Sequence, residues 1–355
     1  MSDKKKRSVW SVTLAVLAGL LVLAVIFVPI IDKNFKSTLK PELKEFAIEN
    51  PDEVTEIFMA SKSNVNSYVK LTKDANGKWM VNDEYPAEGE KVKVLLYEYL
   101  AKLKAKNPIP KSGVDNVIKS MASNAIKVEV YKGTRKDKVF YVGGNAADEM
   151  GTHMLLENSS MPFVVHIPGF MGYPAAIFNL NPKKWKSVNL FLTSIVELKS
   201  VSLFYPADAG GSFTITKNER SLDLQPFIIE DLKDPAQLNM PLLKQYTATF
   251  ENLTYESIYE GLAAKLADSV VKATQPYAVI ELLRVDGVKH VLKIYKKPVT
   301  ADSPQHDNYG NVADHDLDRF YGVLNGNTED ILSVQSFVFK NILKRYEDFY
   351  TGANP

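Results

Sequence analysis

Residues 8–31 form an unbroken run without a charged side chain, and this run restricts the fold more than any other feature. At about 1.5 Å per helical residue the run is about 36 Å long, which is enough to cross a hydrocarbon core of roughly 30 Å. We therefore predict one transmembrane helix over residues 8–31, preceded by a cytoplasmic tail of residues 1–7. A cleaved signal peptide is the alternative, but its apolar region usually has about 7–15 residues and ends in small side chains. This run ends in Phe27, Val28, Pro29, Ile30 and Ile31.

The flanking charges predict the direction of this helix. Residues 4–7 are all basic and directly precede the run, while four lysines lie at a similar distance beyond it. Because long C-terminal domains are translocated largely regardless of charge, the adjacent basic tail decides the direction. We expect a single-pass protein of the inner membrane, in contact with lipid through residues 8–31, with its C-terminal domain in the periplasm. Ala15 and Gly19 offer a small-residue side on which another helix can pack.

The composition of the chain excludes several classes of protein. The absence of cysteine excludes disulfides, iron–sulfur clusters, cysteine-bound zinc and thiol catalysis. Because 43 basic residues are balanced by 42 acidic ones, the chain lacks the charge expected of a nucleic-acid-binding protein. No hydrolase, zinc-protease or nucleotide-binding motif is present. We predict a non-enzymatic protein without a cofactor, and an enzyme with an unrecognised site is the alternative.

After a lysine-rich stalk at residues 32–51, the same order of elements runs through the chain twice. The predicted units are residues 52–195 and 196–350, followed by a tail of residues 351–355. Alternating apolar residues predict strands, and each strand of the first unit has a counterpart in the second. The number of residues between a strand and its counterpart increases along the chain, as it would if loops of the second unit had lengthened. The paired positions are Ile57 and Val201, Val69 and Phe213, Leu71 and Ile215, Val81 and Leu224, Val128 and Ile280, Phe140 and Leu292, Leu156 and Leu324, and Val164 and Leu332. Two unrelated halves with a common element order are the alternative.

Two helices interrupt the strands of each unit. Helical apolar spacing is found at 92–103 and 114–121 in the first unit, and at 242–250 and 258–270 in the second. Each unit thus has three strands, two helices and three further strands. Because the helices are grouped rather than alternating with strands, we predict an α+β fold, a tandem duplication of units with antiparallel sheets covered on one face by helices. A further helix is predicted from Phe337 to Tyr350.

Asn76-Gly77 joins the predicted strands at 69–71 and 79–81. Asn-Gly favours a type I′ hairpin turn, in which both central residues have positive φ. The neighbouring Asp74 could instead begin a calcium loop, but the twelfth position of that loop, which requires glutamate, is Tyr85. The hairpin accounts for these residues better.

Several of these segments resemble the domain-of-unknown-function 4340 family. The similar segments are residues 73–79 with the helix at 92–103, Phe-Tyr-Val-Gly-Gly at 140–144, residues 185–191, and Asp-Leu-Asp-Arg-Phe-Tyr at 316–321. Members of that family are typically membrane-anchored and are encoded beside ABC-transporter permeases and gliding-motility-type auxiliary subunits.

The resemblance implies a non-catalytic accessory subunit of an ABC-type transporter or of another bacterial envelope complex. Its partner would be an integral-membrane protein, either the permease or an auxiliary subunit. The family defines no catalytic residue, so the resemblance implies none here. The alternative is an envelope binding protein that holds a ligand in a cleft between the two units.

A cluster of histidine and aspartate near the C-terminus has the composition of a metal site. Its spacing matches no established metal-binding loop, so we expect a solvated loop between strands. We predict that Asp318 and Arg319 form an ion pair at the start of the next strand. The cluster consists of His306, Asp307, Asp314, His315, Asp316 and Asp318.

Residues 168–174 read Pro-Gly-Phe-Met-Gly-Tyr-Pro, which places large apolar side chains on a loop. Loops normally run over the surface. Phe170, Met171 and Tyr173 therefore either seal the core between the two units or form a contact patch for a partner.

Overall fold

The fold is described by a computed structural model over residues 44–351, with short gaps at residues 65, 147–150, 229 and 231. The predicted transmembrane helix, including Ala15 and Gly19, lies outside the described residues. None of the helices that are described is both long and apolar enough to cross a bilayer. The chain divides into two compact units after Lys186, whereas the sequence places this boundary after residue 195.

In the first unit the described strands form one antiparallel sheet with the order β4-β3-β2-β1-β6-β7-β8-β9-β5. Its strands are β1 (Glu56–Ser61), β2 (Tyr68–Lys73), β3 (Trp79–Val81), β4 (Tyr85–Pro86), β5 (Lys104–Pro108), β6 (Ile126–Lys132), β7 (Arg135–Asn145), β8 (Thr152–Leu156) and β9 (Phe163–His166). Its helices are α1 (Gly89–Lys93), which continues as a π-helix (Val94–Leu100), and α2 (Lys111–Asn124). Short 3₁₀ turns occur at Pro51–Glu53, Pro174–Ile177 and Pro182–Lys184.

The second unit contains another antiparallel sheet, with the order β12-β11-β10-β14-β15-β16-β17-β13. Its strands are β10 (Leu198–Phe204), β11 (Phe213–Lys217), β12 (Leu222–Pro226), β13 (Ser257–Ile258), β14 (Ala278–Arg284), β15 (Lys289–Lys296), β16 (Arg319–Leu324) and β17 (Leu332–Gln335). Its helices are α3 (Met240–Thr249), α4 (Gly261–Ala273) and α5 (Ser336–Phe339). The 3₁₀ turns are Ala209–Gly211, Pro235–Gln237, Phe250–Asn252 and Tyr346–Phe349. The predicted α+β class with antiparallel sheets is confirmed.

Each unit contains a strand between its two helices that the sequence analysis missed. β5 pairs with β9, and β13 pairs with β17, so both lie at a sheet edge. β5 reads Lys-Ala-Lys-Asn-Pro and is mostly exposed, so it has no apolar alternation. Ile258 belongs to β13 rather than to the predicted helix 258–270. Four strands, rather than three, follow the second helix of each unit.

Helices cover both faces of the second sheet, so the prediction of one covered face is wrong. Leu243 and Tyr246 of α3 join the large core on one face. Ala267 of α4 belongs to a separate apolar cluster on the other face, together with Tyr295 and Tyr321. Strand β16 carries apolar side chains on both of its sides, which allows both faces to be buried.

Helix α4 does not bury the stripe that its spacing predicts. Leu262 is 73% exposed and Leu266 is 57% exposed, whereas Ala267 is fully buried. The small side chain of Ala267 allows the helix to lie close to the tyrosines of the sheet.

The predicted helix from Phe337 to Tyr350 is also wrong. Only α5 and the 3₁₀ turn Tyr346–Phe349 are helical in this segment. The ring of Phe349 packs edge-on against Phe213 at 5.0 Å and against Tyr246 at 5.1 Å. Tertiary packing of these aromatic rings determines the path of the chain here, and it overrides local helix propensity.

The last part of the predicted stalk is built into the first unit. Phe46 is fully buried, and its ring packs edge-on against Phe140 and Phe163 at 6.3 Å each. The backbone N–H of Ile48 donates to the carbonyl of Leu100 at 2.9 Å. The assignment of residues 44–51 to a stalk is therefore wrong.

Two lysines of the first sheet fasten the same segment. The Lys138 ammonium donates to the carbonyls of Glu45 and Ala47 at 2.8 and 2.7 Å, and Lys132 donates to the carbonyl of Glu49 at 2.7 Å. Burial lowers the pKa of Lys138. The segment is thus held by side-chain packing and by hydrogen bonds to its backbone.

The hairpin of β2 and β3 is confirmed, but its turn differs from the predicted type I′. Gly77 has a φ of 78°, whereas Asn76 is not among the residues with positive φ. Asp74 accepts the backbone N–H groups of Asn76 and Lys78 at 2.9 and 2.8 Å, which stabilises a three-residue loop. The next turn, between β3 and β4, has positive φ at both central residues, Asn82 and Asp83.

Candidate contact surfaces

Buried Asp316 organises the long segment between β15 and β16. It is 1% exposed and accepts hydrogen bonds from the Lys297 ammonium and the Ser303 hydroxyl. It also accepts the backbone N–H groups of Asp318 and Arg319 at 2.9 and 3.1 Å. Burial acts to raise the pKa of Asp316, but these hydrogen bonds outweigh burial and lower it. This aspartate therefore has a structural role in the segment.

Within this segment, a small hairpin presents two apolar side chains to solvent. His306 and Val312 form an antiparallel bridge. Asp307 accepts the backbone N–H groups of Tyr309 and Asn311 at 2.8 Å each, and the Asn311 side-chain amide at 3.0 Å. Tyr309 is 91% exposed and Val312 is 80% exposed. We name residues 306–312 the display hairpin, because its polar groups hold the backbone while Tyr309 and Val312 point outward.

The predicted solvated loop describes only part of the histidine–aspartate cluster, because Asp316 is buried. Across the described residues, no three histidine or acidic side chains come together in a way that could hold a metal ion. Asp314 pairs with Lys296 at 3.0 Å and with the ring of His315, which lowers its pKa to about 2. The cluster is therefore divided among separate local contacts.

The predicted ion pair between Asp318 and Arg319 does not form. Arg319 instead makes two hydrogen bonds to Glu256, from Nε at 2.7 Å and from Nη2 at 2.8 Å. The pairing with Arg319, assisted by the Ser333 hydroxyl, lowers the pKa of Glu256 to about 2. Asp318 and Arg319 are neighbours in an extended chain, where adjacent side chains point to opposite faces and cannot pair. Glu256 instead lies beside the neighbouring strand β17, within reach of Arg319.

The loop at 168–174 lies at the surface, and its tip is apolar. Met171 is 90% exposed and Phe170 is 41% exposed, while Tyr173 is only partly exposed. The ring of Phe170 packs edge-on against Tyr99 at 5.8 Å, and its N–H donates to the carbonyl of Ile167 at 3.0 Å. Phe170 therefore packs on one side against the first unit, whereas Met171 extends into solvent.

A cavity of about 330 Å³ lies beside α4 in the second unit. His315 stacks on Phe320 at 6.1 Å, and Phe320 stacks on Tyr277 at 6.0 Å, next to this cavity. The residues that line it are Ser269, Val270, Ala273, Thr274, Lys296, Lys297, Pro298, Asp314 and His315. A cavity of this size, lined mostly by polar and charged residues, is large enough for a small ligand.

The outer face of the first sheet carries a charged network that sequence analysis missed. Glu129 is 8% exposed and pairs with Lys127 at 2.7 Å and with Lys136 at 3.0 Å. The Tyr131 hydroxyl also donates to it. Burial acts to raise the pKa of Glu129, but these three donors lower it to about 2. The alternation of charged and apolar residues in β6 was the only signal of this network in the sequence.

Comparison with known proteins does not identify the chain. No family model matches it, and no curated protein or solved structure does. The resemblance to the domain-of-unknown-function 4340 family stays a prediction.

Proposed function

We propose that the chain is a non-enzymatic, membrane-anchored accessory subunit of an ABC-type transporter or of another bacterial envelope complex. Residues 8–31 span the inner membrane, and the periplasmic domain binds an integral-membrane partner, either the permease or an auxiliary subunit. Small residues such as Ala15 and Gly19 allow a partner helix to approach the anchor closely.

The display hairpin is the observation that carries this proposal. Tyr309 and Val312 are both exposed on one small hairpin, and tyrosine is enriched among the residues that dominate binding energy. The hydrogen bonds of Asp307 fix the hairpin before any contact, so little conformational entropy is lost on binding. A rigid tip with exposed apolar side chains suits protein recognition.

Co-purification from detergent-solubilised native membranes tests this proposal. The double variant Tyr309→Ser with Val312→Ser should recover about tenfold less of the membrane partner than the parent chain. Phe337→Ser is the matched control, because Phe337 is 75% exposed in the same unit but lies outside the hairpin. Equal recovery of the partner with the double variant and with the control would contradict the proposal.

We also propose that the two units arose by tandem duplication, and their strand pairing supports this. Ile57 lies between Leu71 and Val130, and Val201 lies between Ile215 and Leu282. Ile57 and Val201, and Leu71 and Ile215, are counterparts predicted from sequence, and Val130 and Leu282 each lie two residues beyond the predicted pair Val128 and Ile280. The last predicted counterparts, Val164 and Leu332, are one residue out of register. Met154 lies opposite Phe163, and its counterpart Gly322 lies opposite Leu332. Leu332 therefore corresponds to Phe163.

An exchange of side-chain size also supports duplication. In the first unit, Met121 of α2 lies against Gly143 of β7, where a Cβ atom would come within 2.7 Å of Met121 Cγ. In the second unit, the equivalent helix and strand bring together Ala267 and Tyr295. The helix contributes the large residue and the sheet the small one in the first unit, and the reverse holds in the apolar cluster of the second unit.

Ligand binding in the envelope is the second candidate, and the cavity beside α4 favours it. A ligand at free concentration c that binds only the folded state stabilises it by RT ln(1 + c/Kd), so the melting temperature rises once the ligand concentration exceeds Kd. Thermal unfolding of residues 44–355 with a panel of small anions and zwitterions tests this candidate. A shift that Lys296→Ala removes would support ligand binding, and no shift with any compound would contradict it.

A further inference from the structure

The apolar tip of the loop at 168–174 is held in a fixed conformation. Gly169 has a φ of 80° and Gly172 a φ of 143°, so both adopt backbone conformations that other residues rarely adopt. A Cβ atom at Gly172 would come within 3.2 Å of the Phe170 ring. Together with the contact between Phe170 and Tyr99, these constraints present Met171 to solvent without a partner present.

This tip is close to the path by which the chain enters the first unit. Ile48 donates to the carbonyl of Leu100, and Phe170 packs on the adjacent Tyr99, so both contact the end of one helix. Only residues 32–43 separate the predicted transmembrane run from the first described residue, Lys44. Twelve extended residues reach at most about 40 Å. Lys44, where the described chain enters the first unit, therefore lies within about 40 Å of the end of the predicted transmembrane run.

Exposed lysines lie beside the apolar tip. β5 pairs with β9 such that Lys104 is opposite His166, two residues before the loop begins. Lys106 is also exposed in the same stretch, as is Lys102, whose ammonium pairs with the exposed Glu98 at 2.5 Å. Aromatic and apolar side chains bordered by lysine are typical of surfaces that lie in the interface of an anionic bilayer.

We propose that Phe170 and Met171 insert into the interface of the same bilayer that holds the anchor, with Lys102 and Lys104 facing anionic lipid headgroups. The short tether, the fixed apolar tip and the neighbouring positive charges together favour lipid over a protein partner at this loop. This inference rests on the proposed anchor, but it does not depend on which protein the display hairpin binds.

Single-cysteine labelling tests the proposal, since the native chain contains no cysteine. The full-length chain with Met171→Cys carries an environment-sensitive fluorophore and is reconstituted into vesicles of phosphatidylethanolamine and phosphatidylglycerol. Ala75→Cys is the matched control, because it is exposed in the β2–β3 hairpin, about 24 Å from β9 at five strand spacings. Lipids with brominated acyl chains serve as quenchers.

The label at position 171 should lose about half of its emission to brominated lipid, as expected at a depth of about 5–10 Å, and the label at position 75 should lose almost none. Replacing Lys102 and Lys104 with glutamate should reduce the quenching at position 171. Equal quenching at both positions, or none at position 171, would overturn the proposal.

Two further readouts separate the possible failures. If the protein floats with the vesicles but position 171 stays aqueous, the lipid contact is wrong and the anchor stands. If the protein does not float, the anchor itself is wrong, and with it both proposals. If position 171 is shielded from iodide in native membranes but is not quenched in pure lipid vesicles, the loop binds a protein and the lipid proposal fails.

Discussion

Replacing Phe46 with alanine should destabilise the first unit severely, although sequence analysis assigns this residue to a stalk. Phe46 is fully buried between the rings of Phe140 and Phe163. A buried Phe→Ala change costs about 3–5 kcal/mol, through lost transfer free energy and the remaining cavity. For a unit of this size that loss lowers the melting temperature by roughly 10 °C. A purely tethering residue would show no such effect.

Tryptophan fluorescence of the fragment 44–355 measures this loss in the first unit alone. The tryptophans of the fragment are Trp79 and Trp185, and both belong to the first unit, where Trp185 is 1% exposed. Urea unfolding followed at these residues should shift for Phe46→Ala but not for Met171→Ala, whose side chain is 90% exposed. A fragment that begins at residue 52 should be destabilised at least as much. Identical unfolding of the fragments 44–355 and 52–355 would refute the assignment of residues 44–51 to the folded unit.

Three further substitutions test other contacts. Glu129→Gln should cost about 3 kcal/mol at pH 7, because the pKa of Glu129 falls from 4.5 to about 2 in the folded state. That contribution is present above pH 4.5 and is lost as the pH falls towards 2. Urea unfolding should therefore show a large difference in unfolding free energy between the variant and the parent at pH 7 and a small one at about pH 2.5. Equal differences at the two pH values would contradict this. Gly143→Ala should cost about 1–3 kcal/mol because the added methyl group crowds Met121. Adding Met121→Ala to the same chain should lessen that penalty, so the two losses should not be additive. Additive losses in a double-mutant cycle would exclude the contact. Asp316→Ala should cost about 3–5 kcal/mol because it leaves the Lys297 ammonium, whose side chain is only 13% exposed, without its carboxylate. Unfolding followed by circular dichroism that matches the parent would contradict this.

The strands of both sheets could be predicted from sequence because their signal is local. Alternation at Ile57 and Met59, and at Val201 and Leu203, places every second residue in a core. The edge strands β5 and β13 could not be predicted, since partner strands distant in the chain determine them. The same applies to Phe46, whose burial depends on Phe140 and Phe163 far along the chain.

The candidate surfaces were predictable only in part. The loop at 168–174 was recognised because proline and glycine bracket large apolar side chains. The display hairpin was not, because the aspartates and histidines of residues 306–318 first suggest a metal site. The structure shows instead that Asp307 and Asp316 hold backbone N–H groups. Composition identifies such residues, but only their geometry distinguishes a ligand-binding carboxylate from one that stabilises a turn.

Quantitative mass spectrometry of the affinity-purified full-length chain tests the proposed function most directly. The comparison is with a chain in which an unrelated membrane-spanning helix replaces residues 8–31. We predict that a permease or its auxiliary subunit is enriched with the native chain, in comparable molar amount, and is depleted when the anchor is exchanged. Recovery of no membrane protein above the level of an untagged control would contradict the accessory-subunit account.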